Sequence, residues 1–180
     1  AIGYTALEAL TSGIGNTAVG FEALDAEDDG DRNTAIGYQA LSDQTGVSGT
    51  VGNTAVGYRS GQAVTSGVGN TAVGHQSAIA ITTAQYNTVM GYNALGAEVT
   101  RGTAVAIGWG ALQDQTHGSD GANSENVGVG FLALSENVTG NSNTAVGFQS
   151  LKGVDGNSHT HNTAVGQDSL TAVTTGGYNT

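Results

Sequence analysis

Five acidic residues lie close together early in the chain and are candidate ligands for a metal ion. They fall within seven residues, with one glycine among them. Carboxylate oxygens on a glycine-containing loop are the ligands that Ca²⁺ takes in proteins. Their spacing is not that of an EF-hand loop, so the segment is interpreted as a solvated acidic corner, with Ca²⁺ binding as the alternative. The five residues are Asp25, Glu27, Asp28, Asp29 and Asp31.

Two histidines near the end of the chain, His159 and His161, are the second candidate metal site. Residues two apart on a strand face the same side. Three chains side by side would therefore bring six imidazoles together near a fibre axis, where a metal ion could bind. An exposed loop without a metal is the preferred interpretation.

His75 stands where other copies of the repeat have an aromatic residue, and we expect it to stack as one.

Residues suited to catalysis are scarce. The chain has no Cys, and its Ser residues lie in turn-forming segments. The Gly-x-Gly pattern at 128–130 belongs to a repeat and has no following helix that could bind a phosphate. We therefore predict that the chain is not an enzyme and that it has no cofactor, apart from the Ca²⁺ alternative.

The charge of the chain excludes two classes of partner. Fifteen acidic and four basic residues give 180 residues a formal net charge of -11. Binding to nucleic acid or to an anionic membrane needs clustered Lys and Arg, and the basic residues here are scattered. No apolar run approaches the ~20 residues that would cross a bilayer. We expect an extracellular location, on a cell surface or a virion, without membrane insertion of this segment.

The candidate residues are carried on ten copies of one short motif, Asn-Thr-Ala-Val-Gly-aromatic-x-Ala/Ser-Leu. Six of the nine spacings between motif glycines are 17 residues, and the other three are longer. A constant minimum spacing with insertions predicts a coil of fixed circumference with bulging corners. The motif glycines are Gly3, Gly20, Gly37, Gly57, Gly74, Gly91, Gly108, Gly130, Gly147 and Gly166.

The motif favours β structure over helix. Its β-branched Thr and Val alternate with small residues at a period of two, and turn-forming residues flank it. Seventeen residues suit two short strands and two turns, with the Leu that stands four places after eight of the ten motif glycines as the core residue of the second strand. We predict an all-β fold: a parallel β-roll or β-solenoid of about ten turns, stacked at ~4.8 Å. Residues 1–180 form a single repeat array.

The alternation also predicts which side chains lie inside. We expect Thr and Val or Ile to fill the narrow core, which leaves Ala and the motif Gly as a smooth outer strip. An aligned Thr ladder raises ice binding as a less favoured function, because ice binding needs these side chains outside. The ladder comprises Thr17, Thr34, Thr54, Thr71, Thr88, Thr144 and Thr163.

Two further positions of the motif predict ladders. Stacked Asn side chains hydrogen-bond along a coil, so a structural ladder is expected at Asn16, Asn33, Asn53, Asn70, Asn87, Asn126, Asn143, Asn162 and Asn179. An aromatic ladder is expected at Tyr4, Phe21, Tyr38, Tyr58, Tyr92, Trp109, Phe131 and Phe148. Such a ladder is too apolar for full exposure, so we predict burial between chains. The alternative is a half-exposed stack that holds one coil together.

The Asn-Thr-Ala-Val-Gly-Tyr-x-Ala-Leu copies resemble the head repeats of YadA-type trimeric autotransporter adhesins and, more closely, the repeats of phage tail-fibre proteins. The resemblance covers all ten copies. It implies a left-handed parallel β-roll, three chains wound side by side, and an adhesive or spacer role outside the cell. The repeat here is longer than that of the adhesin heads.

These observations predict a structural segment of an extracellular fibre whose main partner is itself. One alternative is an adhesin head that binds a host surface or a glycan receptor through the inserted corners at 42–52, 113–125 and 152–161, since loops carry specificity on rigid scaffolds. Another is a filament subunit that stacks end to end. Thr180 followed by Ala1 would rebuild a motif, so we expect a length of a longer fibre or a head-to-tail unit.

Overall fold

The computed structural model describes residues 1–45, 48–100, 102–116, 123–154, 158–174 and 176–180. Parts of the three inserted corners therefore lie outside the described residues. Within the described ranges the fold is all-β, with no helix. The strands are β1 Thr17–Val19, β2 Gly30–Asp31, β3 Thr34–Ile36, β4 Gly49–Thr50, β5 Thr54–Val56, β6 Thr71–Val73, β7 Thr88–Met90, β8 Val105–Ile107, β9 Val127–Val129, β10 Thr144–Val146 and β11 Thr163–Val165.

Nine of these strands form one parallel sheet, in the order β1-β3-β5-β6-β7-β8-β9-β10-β11. Equivalent motif residues pair, as Thr54 with Thr71 and Ala55 with Ala72. Ile2 forms a parallel bridge to Val19 and continues the ladder into the first motif, whereas β2 and β4 pair separately. Because each repeat adds one strand, the chain is a parallel β-solenoid with turns of about 17 residues. The predicted fold class is confirmed, with about eight turns between the nine strands.

The predicted assignment of the inner and outer faces is wrong. The central residue of each motif strand lies inside, as Ala35 and Ala55 show with no exposed surface. The flanking residues lie outside: Thr17 is exposed, and Ile36 is 40% exposed. A three-residue strand that turns its middle residue inward must turn the other two outward. The inward residue is Ala in seven of the nine strands, Val89 in β7 and Gly128 in β9, and it packs against Leu side chains such as Leu24.

The predicted second strand is replaced by a turn. The segment after each motif Gly carries two residues with left-handed backbone, for example Glu22 with φ 51° and Leu24 with φ 55°. Such residues interrupt an extended chain, so no strand forms. The backbone bonds to neighbouring turns persist, with the Leu24 N–H donating to the Ala40 carbonyl at 3.0 Å. Leu24 is fully buried, so its predicted place in the core is confirmed.

The motif glycines are required by close stacking of the turns. At Gly91 the backbone φ is +138°, which disfavours any residue with a Cβ. A Cβ at this position would lie 2.3 Å from the carbonyl oxygen of Gly108 on the next turn. Neighbouring turns therefore approach each other more closely here than any side chain would permit.

The motif Asn side chains connect each turn to the next from inside the coil. Asn70 donates from its side-chain amide to the Ala84 carbonyl at 2.8 Å. Its Oδ1 accepts the backbone N–H of Asn87 at 3.1 Å. The same pattern joins Asn143 to Asn162 and to the His159 carbonyl. The side chains thus satisfy backbone groups that have no partner in the motif sheet.

Candidate functional site

Nine rings form one stacked column along the solenoid. Successive ring centroids in this column lie 4.9 to 5.8 Å apart, and the interplanar angles are 6 to 18°. His75 lies within the column, 4.9 Å from both Tyr58 and Tyr92. This aromatic column comprises Tyr4, Phe21, Tyr38, Tyr58, His75, Tyr92, Trp109, Phe131 and Phe148.

The aromatic column is half exposed. Phe21 is 39% exposed, Tyr38 40% and Phe148 46%. Stacking covers the ring faces, so the rings present their edges to the outside. A flat ligand such as a sugar ring, which packs on an aromatic face, finds those faces already occupied by the neighbouring rings.

A second apolar column runs beside the first, formed by the last residue of each motif strand. Met90 is 48% exposed and Val146 37%. One glycine separates this column from the aromatic one in every turn except the last, where Gln167 follows Gly166. Together the two columns form an apolar strip about 38 Å long, from eight steps of ~4.8 Å. The second column comprises Val19, Ile36, Val56, Val73, Met90, Ile107, Val129, Val146 and Val165.

The sheet face beside the strip carries no formal charge. The first residue of each motif strand is Thr in seven turns and Val at Val105 and Val127. Charged residues begin at the outer border of the aromatic column, where the Gln39 amide donates to Glu22 at 2.6 Å and Arg59 donates to Gln39 at 3.0 Å. The Arg59 guanidinium also lies 5.3 Å from the Tyr58 ring centroid. A polar border beside an apolar centre is the usual anatomy of a protein interface.

Only part of the acidic segment comes together. Glu27, Asp28 and Asp29 place carboxylate oxygens within 4.8 Å of one another. Asp31 lies apart from this group and accepts the Ile14 N–H at 2.8 Å. Asp25 also lies apart, and partial burial raises the pKa of its carboxyl. The five residues therefore do not form one ligand set.

The Glu27 side chain forms hydrogen bonds inside the solenoid. Its side chain is fully buried, and its Oε1 accepts the Gly30 N–H at 2.7 Å. The other oxygen accepts the amide of Gln44 from the next turn. With its lone pairs engaged in this way, Glu27 is poorly placed to serve as a ligand for an ion in solvent.

The two histidines do not face the same side. His159 is 1% exposed, whereas His161 is exposed and stacks on Tyr178 at 4.8 Å. The prediction fails because His161 has φ 57°, which breaks the alternation of an extended strand. Burial lowers the pKa of the His159 imidazole, and neither of its nitrogens has a hydrogen-bond partner among the described residues.

A buried column of polar side chains was not predicted from the sequence. It lies seven residues after the motif Gly, where Glu27 is followed one turn later by Gln44, and Glu98 by Gln115. The second pair repeats the first, with the Gln115 amide donating to Glu98 at 3.2 Å. Glu98 also accepts the Val99 and Thr100 N–H groups. The signal was the recurrence of Glu and then Gln at one position of successive repeats.

The chain matches no protein-family model, no curated protein and no solved structure at a significant level. Across the described residues there is no helix of the length and apolarity that crossing a membrane requires.

Proposed function

We propose that this chain is a rod-like segment of an extracellular fibre in which three copies pack side by side through the apolar strip. The observation that carries the proposal is the continuity of that strip. In all nine strands of the sheet the two outward residues are uncharged, while the chain has a net charge of -11. Copies with this charge repel one another, so their contact is favoured on an uncharged face.

The strip also has the properties of a surface that benefits from burial. Each turn adds a Val, Ile or Met that is at least partly exposed and, in most turns, an exposed ring. Apolar surface contributes about 25 cal/mol per Å² removed from water. Because the same two positions of the motif carry such side chains turn after turn, the free energy gained on association grows with the length of the rod. The left-handed winding implied by the family resemblance belongs to the same proposal.

The occupied ring faces favour a spacer role for this surface over a glycan-binding role. A fibre shaft needs a stiff rod, and stiffness follows from backbone hydrogen bonds between successive turns, such as Thr71 N–H to the Asn87 carbonyl at 2.8 Å. The parallel strands and the Asn side chains add bonds in the same direction. Extension of the rod therefore strains many bonds together.

Mass in solution tests the lateral association. We expect three times the chain mass in light scattering, and a monodisperse monomer contradicts the proposal. Val146→Glu places a charge in the strip and should dissociate the assembly, while the solenoid keeps its circular dichroism spectrum because the side chain lies outside. Val99→Glu is the matched control: Val99 is 39% exposed against 37% for Val146, but it lies on a corner. It should leave the mass unchanged.

Ice binding is a second candidate, supported by the outward orientation of the Thr ladder. Thr88 and Thr163 are exposed, and in-register pairing aligns the ladder at the strand spacing. Both functions use the same face of the sheet, so they make opposite predictions. Thermal hysteresis from a monomer, abolished by Thr88→Tyr, would favour ice binding. A trimer without thermal hysteresis favours the fibre.

A further inference from the structure

A polar cleft of about 330 Å³ lies on the corner of the solenoid that precedes the motif strands. It spans three successive turns, and its volume is at the lower end of the range for small-molecule sites. It is separate from the apolar strip, which follows the strands. The side chains on its wall are those of Thr83, Gln85, Tyr86, Thr100, Thr103 and Asn123.

Tyr86 differs from the rings of the aromatic column. It is 64% exposed, and no other ring stacks on it within the part of the chain that the structure describes. On one side it lies over Gly69, where an added Cβ would be 2.8 Å from the Tyr86 Cδ1. Thr103 occupies the equivalent position on the next turn. With Gly69 on one side and only the short Thr103 side chain on the other, much of the Tyr86 side chain stays exposed where it lines the cleft.

The polar groups around this ring are uncharged and available. Thr83, Gln85, Thr100 and Asn123 are exposed, and their side chains make no hydrogen bond to another described residue. The Thr103 hydroxyl donates to the Gly102 carbonyl at 2.7 Å, which leaves its oxygen able to accept. No described residue with a formal charge lines the cleft. The hydroxyl and amide groups of this described part of the wall suit a ligand with many hydroxyl groups.

We propose that this cleft binds a neutral saccharide, one or two sugar residues long. The apolar C–H face of a pyranose would pack on the Tyr86 ring, and its hydroxyls would bond the Gln85 and Asn123 amides and the Thr hydroxyls. A few directional polar groups beside an aromatic surface are the usual composition of a small-ligand site. The site lies within one chain, so it does not depend on lateral association.

A glycan array followed by titration tests the proposal. The full chain is applied to immobilised neutral and acidic oligosaccharides, and the neutral glycan that is best retained is titrated in solution. Tyr86→Ala should weaken binding by about tenfold or more, the loss of one ring contact. Tyr86→Phe keeps the ring and should bind within about threefold of the unmodified chain, since a single exposed hydroxyl contributes little.

Tyr178→Ala is the matched control. Tyr178 also precedes a motif Asn and has φ 62° against 59° for Tyr86, but it lies outside the cleft. The Tyr178→Ala variant should bind the glycan like the unmodified chain. The melting temperatures of all variants should lie within a few degrees of that of the unmodified chain. Three results overturn the proposal: no retention of any neutral glycan, equal binding by Tyr86→Ala, or equal loss in Tyr178→Ala. Each leaves the lateral association, read from mass, untouched.

Discussion

The Oδ1 of Asn53 accepts the backbone N–H of Asn70, 17 residues later, at 2.8 Å. Asn70 repeats the same bond to Asn87, and its side-chain amide donates to the Ala84 carbonyl. One short side chain thus satisfies a backbone donor and a backbone acceptor, both on the following turn. Because a buried backbone group without a partner is costly, this relationship makes the motif Asn a principal determinant of turn-to-turn cohesion.

Asn70→Ala should therefore destabilise the solenoid strongly. It leaves the buried Asn87 N–H and the Ala84 carbonyl without partners, at a cost of about 1–3 kcal/mol each. The melting temperature should fall by about 2–4 °C per kcal/mol. Asn179→Ala is the control, because Asn179 is only partly buried and lies after the last described motif strand. Equal shifts for the two variants would contradict the ladder as a source of stability.

Gly91→Ala should prevent normal stacking of two turns. The new Cβ would meet the Gly108 carbonyl oxygen at 2.3 Å while the backbone stays at φ +138°. Gly166→Ala separates the two effects, because Gly166 has φ +120° but nothing within 4 Å of an added Cβ. We expect about 1–3 kcal/mol of strain at Gly166 and a greater loss at Gly91. Urea unfolding followed by circular dichroism measures both, and a smaller loss at Gly91 would refute the close-approach argument.

Glu27→Ala should lower stability through lost hydrogen bonds, and Ca²⁺ should have no effect on it. The substitution leaves the Gly30 N–H and the Gln44 amide without their buried acceptor, at about 1–3 kcal/mol for each group. Asp29→Ala is the control, because Asp29 lies in the same acidic group and its side chain has no such buried bonds. A rise in melting temperature on adding Ca²⁺, reversed by EDTA, would instead establish the acidic segment as a metal site.

The repeat period made the parallel solenoid predictable, because any residue that recurs every 17 positions must stack on its own copies. The same logic placed His75 among the aromatic rings and the Leu residues in the core. The inward face was not predictable from alternation alone, since a period of two identifies two faces without saying which is inside. Packing against Leu24 and its equivalents in the turn decides that question, and the residue that packs there is Ala in seven of the nine strands.

The failures at the candidate sites share a physical cause. The pairing of His159 with His161 assumed an extended chain, and the left-handed backbone at His161 removes it. The predicted second strand fails in the same way at Glu22 and Leu24. Non-glycine residues enter this region at a cost of about 1–2 kcal/mol, and here the repeated turn-to-turn hydrogen bonds offset that cost. The residue types at these positions do not favour a left-handed backbone, so local sequence rules do not predict it.

Stability should fall between pH 7 and pH 5 because of His159. Burial lowers the pKa of this imidazole below its ordinary value of 6.5, so the folded chain holds it neutral while the unfolded chain takes up a proton. The free energy of unfolding is therefore undiminished by His159 above pH 6.5, and it decreases as the pH falls toward the lowered pKa. Nearby, Glu136 and Lys152 form an ion pair at 3.9 Å.

His159→Met removes the titrating group and fills much of its volume, so the melting temperature should depend less on pH between 5 and 7 than in the unmodified chain. His161→Gln is the control: His161 is exposed and stacks on Tyr178, and its loss should leave the slope unchanged. Thermal unfolding at half-unit pH steps measures the three slopes. If the slope for His159→Met matches that of the unmodified chain, the pH dependence originates in other groups, and Asp25 is not among them. Its raised pKa acts with the opposite sign, because a carboxyl that is harder to ionise in the folded chain gains stability as the pH falls.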